Sequence, residues 1–456
     1  MNAHDEYQLL LGTGTSPESD QMEPTSKSQK LTVMIAACTL VLAMDFGFYL
    51  TAAPQTEVFE NIICQNYMAA LGEHADKTST EDICKSKPVQ SELALVNGWK
   101  DTSDVLAGIL LSVPYGVLAD RWGRKPVLLL GILGGSSWGN LGPYCIATAL
   151  FRITSATLLA EALATPVSAY LMTRDPWIPY MLGLGIATLG AFSAYFMPET
   201  LSKAKPETST ETRLANEETQ SQDSQSTSKY YSIRRFIIGK LRDLQRSTRF
   251  IMGNPDISAC LFVVFITSIT KQSTSLLLQF TSKRFHMTIA KASLLISVRG
   301  SITLANFIVL MPAVSFLITR YFHLEGNLRD LRLAQILCLI SALGFIIMSE
   351  AISWAMLIMG VVLLSLGAAF AVFGRSFMTS LVPSEHIGTL YSSAAALTSL
   401  GMMISGPFLA YMFRWGLELG RSWLGLPFIL AGALYFLGFG FLIWLKVPQA
   451  DDVCEE

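Results

Sequence analysis

Long apolar segments are the feature that most constrains how this 456-residue chain can fold. Runs of about 20 residues with few charges recur along it, and an α-helix of that length crosses the hydrocarbon core of a bilayer. The first run, residues 31–53, follows thirty mostly polar residues and is too long and too far from the start for a cleaved signal peptide. The pattern therefore predicts an all-α, polytopic membrane protein.

Ten segments fit this criterion, and a polar stretch separates the first four from the last six. The predicted spans are 31–53, 103–120, 154–172 and 177–197, then 258–281, 291–320, 332–350, 354–381, 388–413 and 425–446. The predicted domains are a cytoplasmic tail (1–30), an N-terminal helical half (31–200), a cytoplasmic linker (201–255), a C-terminal helical half (256–447) and a second tail (448–456).

The linker changes character at residue 228. Residues 201–228 are rich in Ser, Thr, Glu and Gln, a composition typical of disorder. Residues 229–252 carry seven Lys or Arg and one acid, with apolar residues at near-helical spacing. This second pattern predicts either a basic amphipathic helix on the membrane surface or a solvated helix leading into the next span.

A short basic loop after the second span orients the chain. It contains Arg121, Arg124 and Lys125, and short basic loops stay cytoplasmic. Residues 54–99 are then a loop on the outside, where seven acids outnumber three lysines. An oxidising exterior favours a Cys64–Cys84 disulfide worth about 3 kcal/mol, and the alternatives are free thiols or other pairings.

Composition and motifs exclude several function classes. Charged residues make up 15% of the chain, against roughly 25% in soluble domains, and the net charge of -2 implies no nucleic-acid partner. The sequence has no phosphate-binding loop, no His/Cys cluster with metal-ligand spacing and no nucleophile–base constellation. We therefore expect a protein that is not an enzyme and that holds no metal or cofactor.

The two helical halves share a short internal repeat. Residues 163–172 read LATPVSAYLM and residues 404–413 read ISGPFLAYMF. Aligning Pro166 with Pro407 also aligns an alanine and a tyrosine, and a polar loop and one apolar helix follow in each half. Two homologous helical halves joined by a polar loop are typical of a secondary transporter, and chance similarity between small-residue helices is the alternative.

Residues 116–125, GVLADRWGRK, resemble the signature loop of the major facilitator superfamily, G-x-L-[AS]-D-R-x-G-R-[KR]. The PET at 198–200 also resembles that superfamily, and DFGFYLTAAPQTEVFENIICQNYM resembles a fungal branch related to proton-coupled folate transporters. The resemblance implies two pseudo-symmetric helical bundles and alternating-access transport of a small solute, here by proton symport.

The resemblance also implies a role for the loop as a conformational latch of the outward-facing state. The residues concerned are Gly116, Asp120, Arg121, Gly123, Arg124 and Lys125. Gly116 allows close helix approach, and Gly123 permits the tight turn of so short a loop. Asp120 ends its helix, where the dipole disfavours a negative charge, so it needs another partner. The alternative is that these charges only fix topology.

Five ionisable residues lie inside predicted spans, where each costs roughly 2.5–3.5 kcal/mol on insertion scales and is therefore a functional candidate. They are Asp45, Glu161, Lys271, Arg299 and Arg375. The two acids lie in the first half and the three bases in the second. This division suggests a cavity that pairs charge across the halves and binds an anionic or zwitterionic solute.

Each of these residues receives a predicted role. Glu161 lies five residues before Pro166, and it is the first candidate for proton coupling, with Asp45 as the second. Arg299 and Arg375 are candidates for a substrate carboxylate, because a guanidinium binds it with two hydrogen bonds, and Lys271 joins them. Purely structural ion pairs are the alternative, with equal weight for Lys271 and Asp45.

The resemblance implies corresponding roles for two of these residues. In proton-coupled folate carriers a glutamate in the fifth helix and an arginine in the tenth are implicated in transport. Glu161 and Arg375 lie in the corresponding spans.

The first half departs from the twelve-span pattern of the superfamily. Only 28 residues separate Lys125 from the span at 154, where the family has two helices and their loops. We therefore predict a truncated first bundle without a fourth helix, and about 10–11 spans in all. Residues 126–149 either cross the membrane once, which inverts all later helices, or enter it and return to the same side.

The truncation leaves two alternative functions open. The chain is either a transport-defective binding or sensing protein, or a non-functional splice product.

The remaining expectations concern the setting of the protein. DEYQLL at 5–10 fits an acidic dileucine sorting signal, which favours a vacuolar or endosomal membrane, and the expected location is the plasma membrane or the vacuolar membrane. The expected partners are the lipid bilayer, a small-molecule substrate and protons, and we expect a monomer.

Overall fold

In a computed structural model of the chain, the described residues are 27–71, 83–122, 146–193, 253–322, 326–382 and 387–445. These residues form helices joined by short turns, and no β-strand occurs among them. The predicted all-α, polytopic architecture is confirmed. The number of crossings stays a prediction, because residues 123–145 lie outside the described part.

The first half contains four described helices, and the second half contains nine together with two short irregular segments. The first four are α1 (Lys27–Leu71), α2 (Lys87–Trp122), α3 (Ile146–Met172) and α4 (Trp177–Ser193). Those of the second half are α5 (Pro255–Ser268), α6 (Ser273–Phe285), α7 (Ile289–Ala305), a π-helix (Asn306–Leu310), α8 (Met311–Phe322), α9 (Gly326–Ser349), α10 (Trp354–Gly367), α11 (Phe370–Ser380), α12 (Ile387–Leu419), a 3₁₀-helix (Arg421–Trp423) and α13 (Leu426–Trp444).

The prediction of a loop over residues 54–99 is wrong for most of its length. Helix α1 has 45 residues and continues through Pro54, so it is about 68 Å long, roughly twice the hydrocarbon thickness. Helix α2 already begins at Lys87. Hydropathy detects only the part of a helix that lies in lipid, whereas these polar extensions are stabilised by packing on each other.

Several predicted spans of the second half are interrupted. Turns at 269–272 and 368–369 separate α5 from α6 and α10 from α11. The π-helix between α7 and α8 begins at Asn306, whose Nδ2 donates to the carbonyls of Ser365 (3.1 Å) and Leu366 (2.8 Å) at the end of α10. Irregular backbone at this depth is tolerated when protein covers it, and Asn306 satisfies part of the freed backbone.

Helices α1 and α2 run in opposite directions, as their contacts show. Cys64 and Cys84 join the far end of α1 to the segment before α2, and Gln90 bonds to Glu60 on the preceding turn of α1. Helix α2 therefore ends on the side of the bundle where α1 begins. We call that side the N-terminal side and the other the opposite side.

Helix α3 runs parallel to α1. Thr157 bonds to Asp45, and eleven residues later Ser168 donates to the carbonyl of Leu50 at 2.8 Å. The end of α2 and the start of α3 therefore lie on the same side of the bundle. This arrangement does not fit the alternative in which all later helices are inverted.

The directions of α4 and α5 extend this order across the linker. Gly183 packs on Gly47, and Gly190 packs on Ala43, so α4 is antiparallel to α1 and ends on the N-terminal side. Helix α5 runs parallel to α12, which is itself antiparallel to α2, and it begins on the N-terminal side. The end of α4 and the start of α5 thus lie on the same side.

Close backbone approach joins the two halves. A Cβ atom added at Gly98 of α2 would lie 2.6 Å from the carbonyl oxygen of Gly406 in α12. Beside this contact Thr102 donates to the carbonyl of Met403 at 3.0 Å. A second contact between the halves joins α3 to α7, and it carries the candidate site.

Candidate functional site

Glu161 of α3 and Arg299 of α7 form an ion pair that links the two halves. Arg299 Nη2 lies 2.6 Å from Glu161 Oε1, and the Glu161 residue is only 2% exposed. The pairing requires Gly300, because a Cβ at that position would lie 2.9 Å from Glu161 Cγ. The structure therefore brings together the residue predicted to carry the proton and one predicted to bind the substrate.

Helix α1 completes the surroundings of this pair. Tyr49 lies close enough to Glu161 to interact with it electrostatically. One turn earlier the Asp45 carboxylate accepts a hydrogen bond from Thr157 at 2.6 Å. Glu161 is thus paired with a cation of the second half and lies near Tyr49 of the first. Tyr49 is uncharged, so the cost of inserting charge into lipid does not single it out in the sequence.

Arg299 keeps binding capacity beyond its bond to Glu161. Its Nε is buried and has no hydrogen-bond partner among the described residues, and the side chain is 27% exposed. A guanidinium presents its N–H groups as a fork that matches a carboxylate. The guanidinium of Arg299 can bind Glu161 and, once Glu161 is released, a second anion.

Lys271 and Arg375 form a second cationic region, separate from this pair. Lys271 lies in the turn between α5 and α6, Arg375 lies in α11, and the two are close enough for the positive charge of Arg375 to act on Lys271. Neither has an acidic partner within 4.0 Å among the described residues. The structure thus places two of the three predicted substrate-binding cations near each other and the third in an ion pair.

A polar cluster on the opposite side was not predicted. The Lys85 ammonium lies 2.6 and 2.8 Å from the two carboxylate oxygens of Glu60, and Gln90 Nε2 donates to the same carboxylate. Lys85 also donates to Ser282 Oγ of α6 at 2.6 Å, so the cluster connects the halves. All four residues are buried and lie beyond the predicted spans.

Glu57 lies one turn before Glu60 on α1 and belongs to this cluster. Burial raises its pKa to about 7, the Glu60 carboxylate contributes in the same direction, and Lys85 opposes both. Its Oε2 is buried without a hydrogen-bond partner among the described residues. A signal for this region was present in the sequence, because a Cys64–Cys84 link brings the acids of α1 next to Lys85.

The two predicted disulfide cysteines are bonded to each other. Cys64 and Cys84 form a disulfide with their Cα atoms 5.0 Å apart, and Cys64 is fully buried. The disulfide lies immediately beside the Glu60–Lys85 pair.

Other predicted features lie where the structure gives no side-chain description. Gly116, Asp120 and Arg121 are in the last turns of α2, for which only the backbone is described, and Gly123, Arg124 and Lys125 fall outside the described residues. The basic segment 229–252 and the tails before residue 27 also fall outside them. Among the described residues no three His, Cys, Asp or Glu side chains converge as metal ligands.

Comparison with curated proteins identifies fungal transporters. The MFS-type transporter avaK of Aspergillus versicolor is 30% identical over 428 residues, which cover 89% of this chain and 90% of that protein. The MFS efflux pump atnC of Emericella nidulans is 28% identical, covering 94% and 91%, and the efflux pump ustT of Aspergillus flavus is 29% identical, covering 90% and 87%. No protein-family model matches the chain.

Solved structures show the same fold at low sequence identity. The human organic anion transporter MFSD10 superposes with a TM-score of 0.51 at 17% identity over 91% of this chain and 99% of that one. A D-xylose-proton symporter superposes with a TM-score of 0.55 at 13% identity, over 91% and 98%. The chain is a multi-pass membrane transporter and not an enzyme, and it belongs to the major facilitator superfamily.

Proposed function

We propose that this protein is a proton-coupled secondary transporter that moves a small organic anion by alternating access. The observation that carries the proposal is the Glu161–Arg299 pair, in which a buried carboxylate and a guanidinium from opposite halves contact each other at 2.6 Å. A proton on Glu161 neutralises the carboxylate and frees Arg299. A substrate carboxylate can then take the place of Glu161 on the guanidinium.

This exchange makes the proton and the anion bind together. Loaded with both, the site has the same net charge as the empty ion pair, so no uncompensated charge is buried in either state. Such co-binding supports symport. The second cationic region at Lys271 and Arg375 supports a substrate with more than one acidic group, or with an acidic group held between the two regions.

The direction of transport depends on the proton and substrate gradients across the membrane in which the protein lies. Two relatives are named efflux pumps, whereas the co-binding of proton and anion supports movement of the solute in the same direction as the proton. The end of α4 and the start of α5 lie on the N-terminal side, and the basic composition of the linker between them supports a cytoplasmic location for that side. We place the protein in the plasma membrane or the vacuolar membrane.

A reconstitution experiment tests the substrate class. The purified chain is inserted into liposomes that contain a pH-sensitive dye, and folate, 5-aminolevulinic acid or xylose is added outside. We expect the carboxylate-bearing probes to drive protons into the lumen, and xylose, which has no acidic group, to have no effect. Acidification with xylose alone, or probe uptake without proton movement, would contradict the proposal.

A second candidate is a transport-defective member of the family that only binds its ligand. One observation favours it: the alignment with the Emericella nidulans pump extends over 480 positions, more than the 456 residues of this chain, so that relative carries segments missing here. A protease site inserted near Gln222 tests the transporter candidate. A functional transporter requires that protease added to intact cells does not cut this site. Cleavage from outside would mean that the second half is inverted.

A further inference from the structure

We propose that Asn97 of α2 and Gln279 of α6 form a subsite that binds an amide group of the transported anion when the two halves separate on the opposite side. The inference rests on the proposed proton-coupled function, because it names the class of anion that the transporter moves. Three observations support it: a polar cavity between the halves, buried side-chain amides without hydrogen-bond partners, and a depth in the bundle that matches that of Arg299.

A narrow cavity lies between α2 of the first half and α6 and α12 of the second. Its lining includes polar side chains and the two glycines at which α2 and α12 approach each other, namely Asn97, Asp101, Ser275, Gly98 and Gly406. Ser275 Oγ donates to Asp101 Oδ2 at 3.1 Å and thereby joins two of the walls. The cavity is thus part of the contact between the halves, and their separation would expose its walls.

The carboxylate in this lining is already paired. Lys100 Nζ lies 3.1 Å from Asp101 Oδ1, and Ser275 donates to Oδ2, so each carboxylate oxygen has a partner. Asp101 is the charged residue among the described residues of the lining. What the cavity still offers to a ligand is therefore neutral hydrogen bonding.

Asn97 and Gln279 lie in adjoining turns of this contact. Ser275 bonds to Asp101, and seven residues later Ser282 bonds to the segment before α2, so α2 and α6 run in opposite directions. Asn97 is one turn from Asp101 and Gln279 is one turn from Ser275, both toward the opposite side. Residues four apart share a helix face, so Gln279 lies on the face of α6 that contacts α2.

Both amides have buried atoms without partners. Gln279 is 0% exposed, and neither its Nε2 nor its Oε1 has a hydrogen-bond partner among the described residues. Asn97 is 5% exposed, and its Nδ2 likewise has none. Burying unpaired polar atoms is costly, and an apolar side chain of similar shape would pack there without that cost. The two amides therefore fit a role in a conformation in which a ligand supplies the missing partners.

The unpaired atoms are complementary to a secondary amide. The two side-chain nitrogens are donors, and the Gln279 oxygen is an acceptor. The carbonyl oxygen of a ligand amide can accept two hydrogen bonds, and its N–H donates one. A ligand amide can thus pair all three atoms, whereas a ketone pairs only the donors and a hydrocarbon chain pairs none.

The subsite lies at a depth similar to that of Arg299. Asn97 and Arg299 each lie ten residues, about 15 Å, from the start of their helices on the opposite side, and Gln279 lies six residues, about 9 Å, from the end of α6 on that side. Helices α6 and α7 are neighbours, since Leu278 and Ile296 belong to one apolar cluster. One ligand can therefore place a carboxylate on Arg299 and a nearby amide on the subsite.

Three carboxylates that differ in one group at a time test the subsite. Hippurate has an amide, 3-benzoylpropionate has a methylene group in place of the amide N–H, and 4-phenylbutyrate lacks the carbonyl as well. The Kd of each probe for the purified chain is obtained from the rise in melting temperature with probe concentration. We expect the unmodified chain to bind hippurate about tenfold more tightly than 3-benzoylpropionate, as one hydrogen bond allows, and 4-phenylbutyrate more weakly still. Absent binding of hippurate, or equal binding of all three, overturns the proposal.

Apolar variants of similar shape assign the contacts. In Gln279→Met the preference for hippurate over 3-benzoylpropionate should disappear, and in Asn97→Leu the preference for 3-benzoylpropionate over 4-phenylbutyrate should shrink. Without a probe, neither variant should melt below the unmodified chain, because the deleted atoms had no partner. Preferences that persist in both variants, or a lower melting temperature in both, overturn the assignment.

Two control variants separate recognition from packing. Thr281→Val removes another buried hydroxyl without a partner among the described residues, from a different face of α6. Glu92→Gln neutralises an exposed acid of α2. Both variants should keep the full preference for hippurate. A loss of that preference in Thr281→Val equal to the loss in Gln279→Met would show that α6 acts through packing, and would overturn the subsite.

This outcome is separable from that of the transport proposal. Binding is measured without a gradient, so a preference for hippurate in a chain that moves no protons would support the subsite and reject transport. Conversely, 5-aminolevulinic acid has no amide. Proton influx driven by this probe, together with equal binding of hippurate and 3-benzoylpropionate, would support transport and reject the subsite.

Discussion

Two carboxylate sites in this molecule differ in how their acids are satisfied. At the centre the Glu161 carboxylate is bonded to Arg299, each from a different half. On the opposite side Glu60 accepts both bonds of Lys85, whereas Glu57 has a buried oxygen without a hydrogen-bond partner among the described residues and a pKa raised to about 7. A paired carboxylate changes only when something displaces its partner, whereas a carboxyl group with a raised pKa titrates near neutral pH. We infer that the first site couples substrate to proton.

The largest expected effect comes from breaking the Glu161–Arg299 pair. Arg299→Leu leaves the Glu161 carboxylate buried without its cation, which should destabilise the folded protein by about 3 kcal/mol. The free energy of unfolding in detergent measures this loss. The double variant with Glu161→Gln should recover most of it, because the unpaired charge is removed. Equal stability of the Arg299→Leu variant and the unmodified chain would contradict a buried ion pair.

Opening the disulfide beside the Glu60–Lys85 pair should have a similar effect. Cys64 and Cys84 close a loop with a sequence separation of 20, and their replacement by serine should cost about 3 kcal/mol. The free energy of unfolding of the double serine variant measures this cost. An unchanged melting temperature would show that packing alone aligns the two segments.

Removing Lys85 should change the pKa of Glu57. In Lys85→Met the two carboxylates lose the cation that lowers the pKa of Glu57, so that pKa should rise above its present value of about 7. The carbonyl stretch of the protonated carboxyl in infrared difference spectra follows the titration. A pKa that falls in this variant would mean that Lys85 does not face Glu57.

The pH dependence of stability should be the smallest effect. The pKa of Glu57 rises on folding from about 4.5 to about 7, so the folded chain binds more protons between these values. Its stability should therefore fall as pH increases from about 4.5 to about 7 and should level off above that. Melting temperatures across this range should show a slope that Glu57→Gln reduces and Glu92→Gln preserves.

The sequence predicted site residues best where a charged residue lies inside an apolar span, because inserting a charge into lipid is costly. Glu161 and Arg299 were both selected because charge is costly in lipid, and the division of acids and bases between the halves predicted pairing across them. Which acid meets which base was not predictable, since 138 residues separate Glu161 from Arg299. The opposite-side cluster was missed because the same criterion is applied only within apolar runs, and Glu57, Glu60 and Lys85 lie outside them. The break at Lys271 was also missed, because hydropathy does not register where helix hydrogen bonding stops.

The proton dependence of uptake in Glu161→Gln tests the central claim most directly. A carboxylate-bearing probe that the unmodified chain takes up is supplied to proteoliposomes with and without an inward proton gradient. The account predicts that the gradient accelerates uptake by the unmodified chain and by Glu92→Gln, and has no effect on Glu161→Gln. Gradient-driven uptake by Glu161→Gln equal to that of the unmodified chain would contradict the assignment of Glu161 as the coupling group.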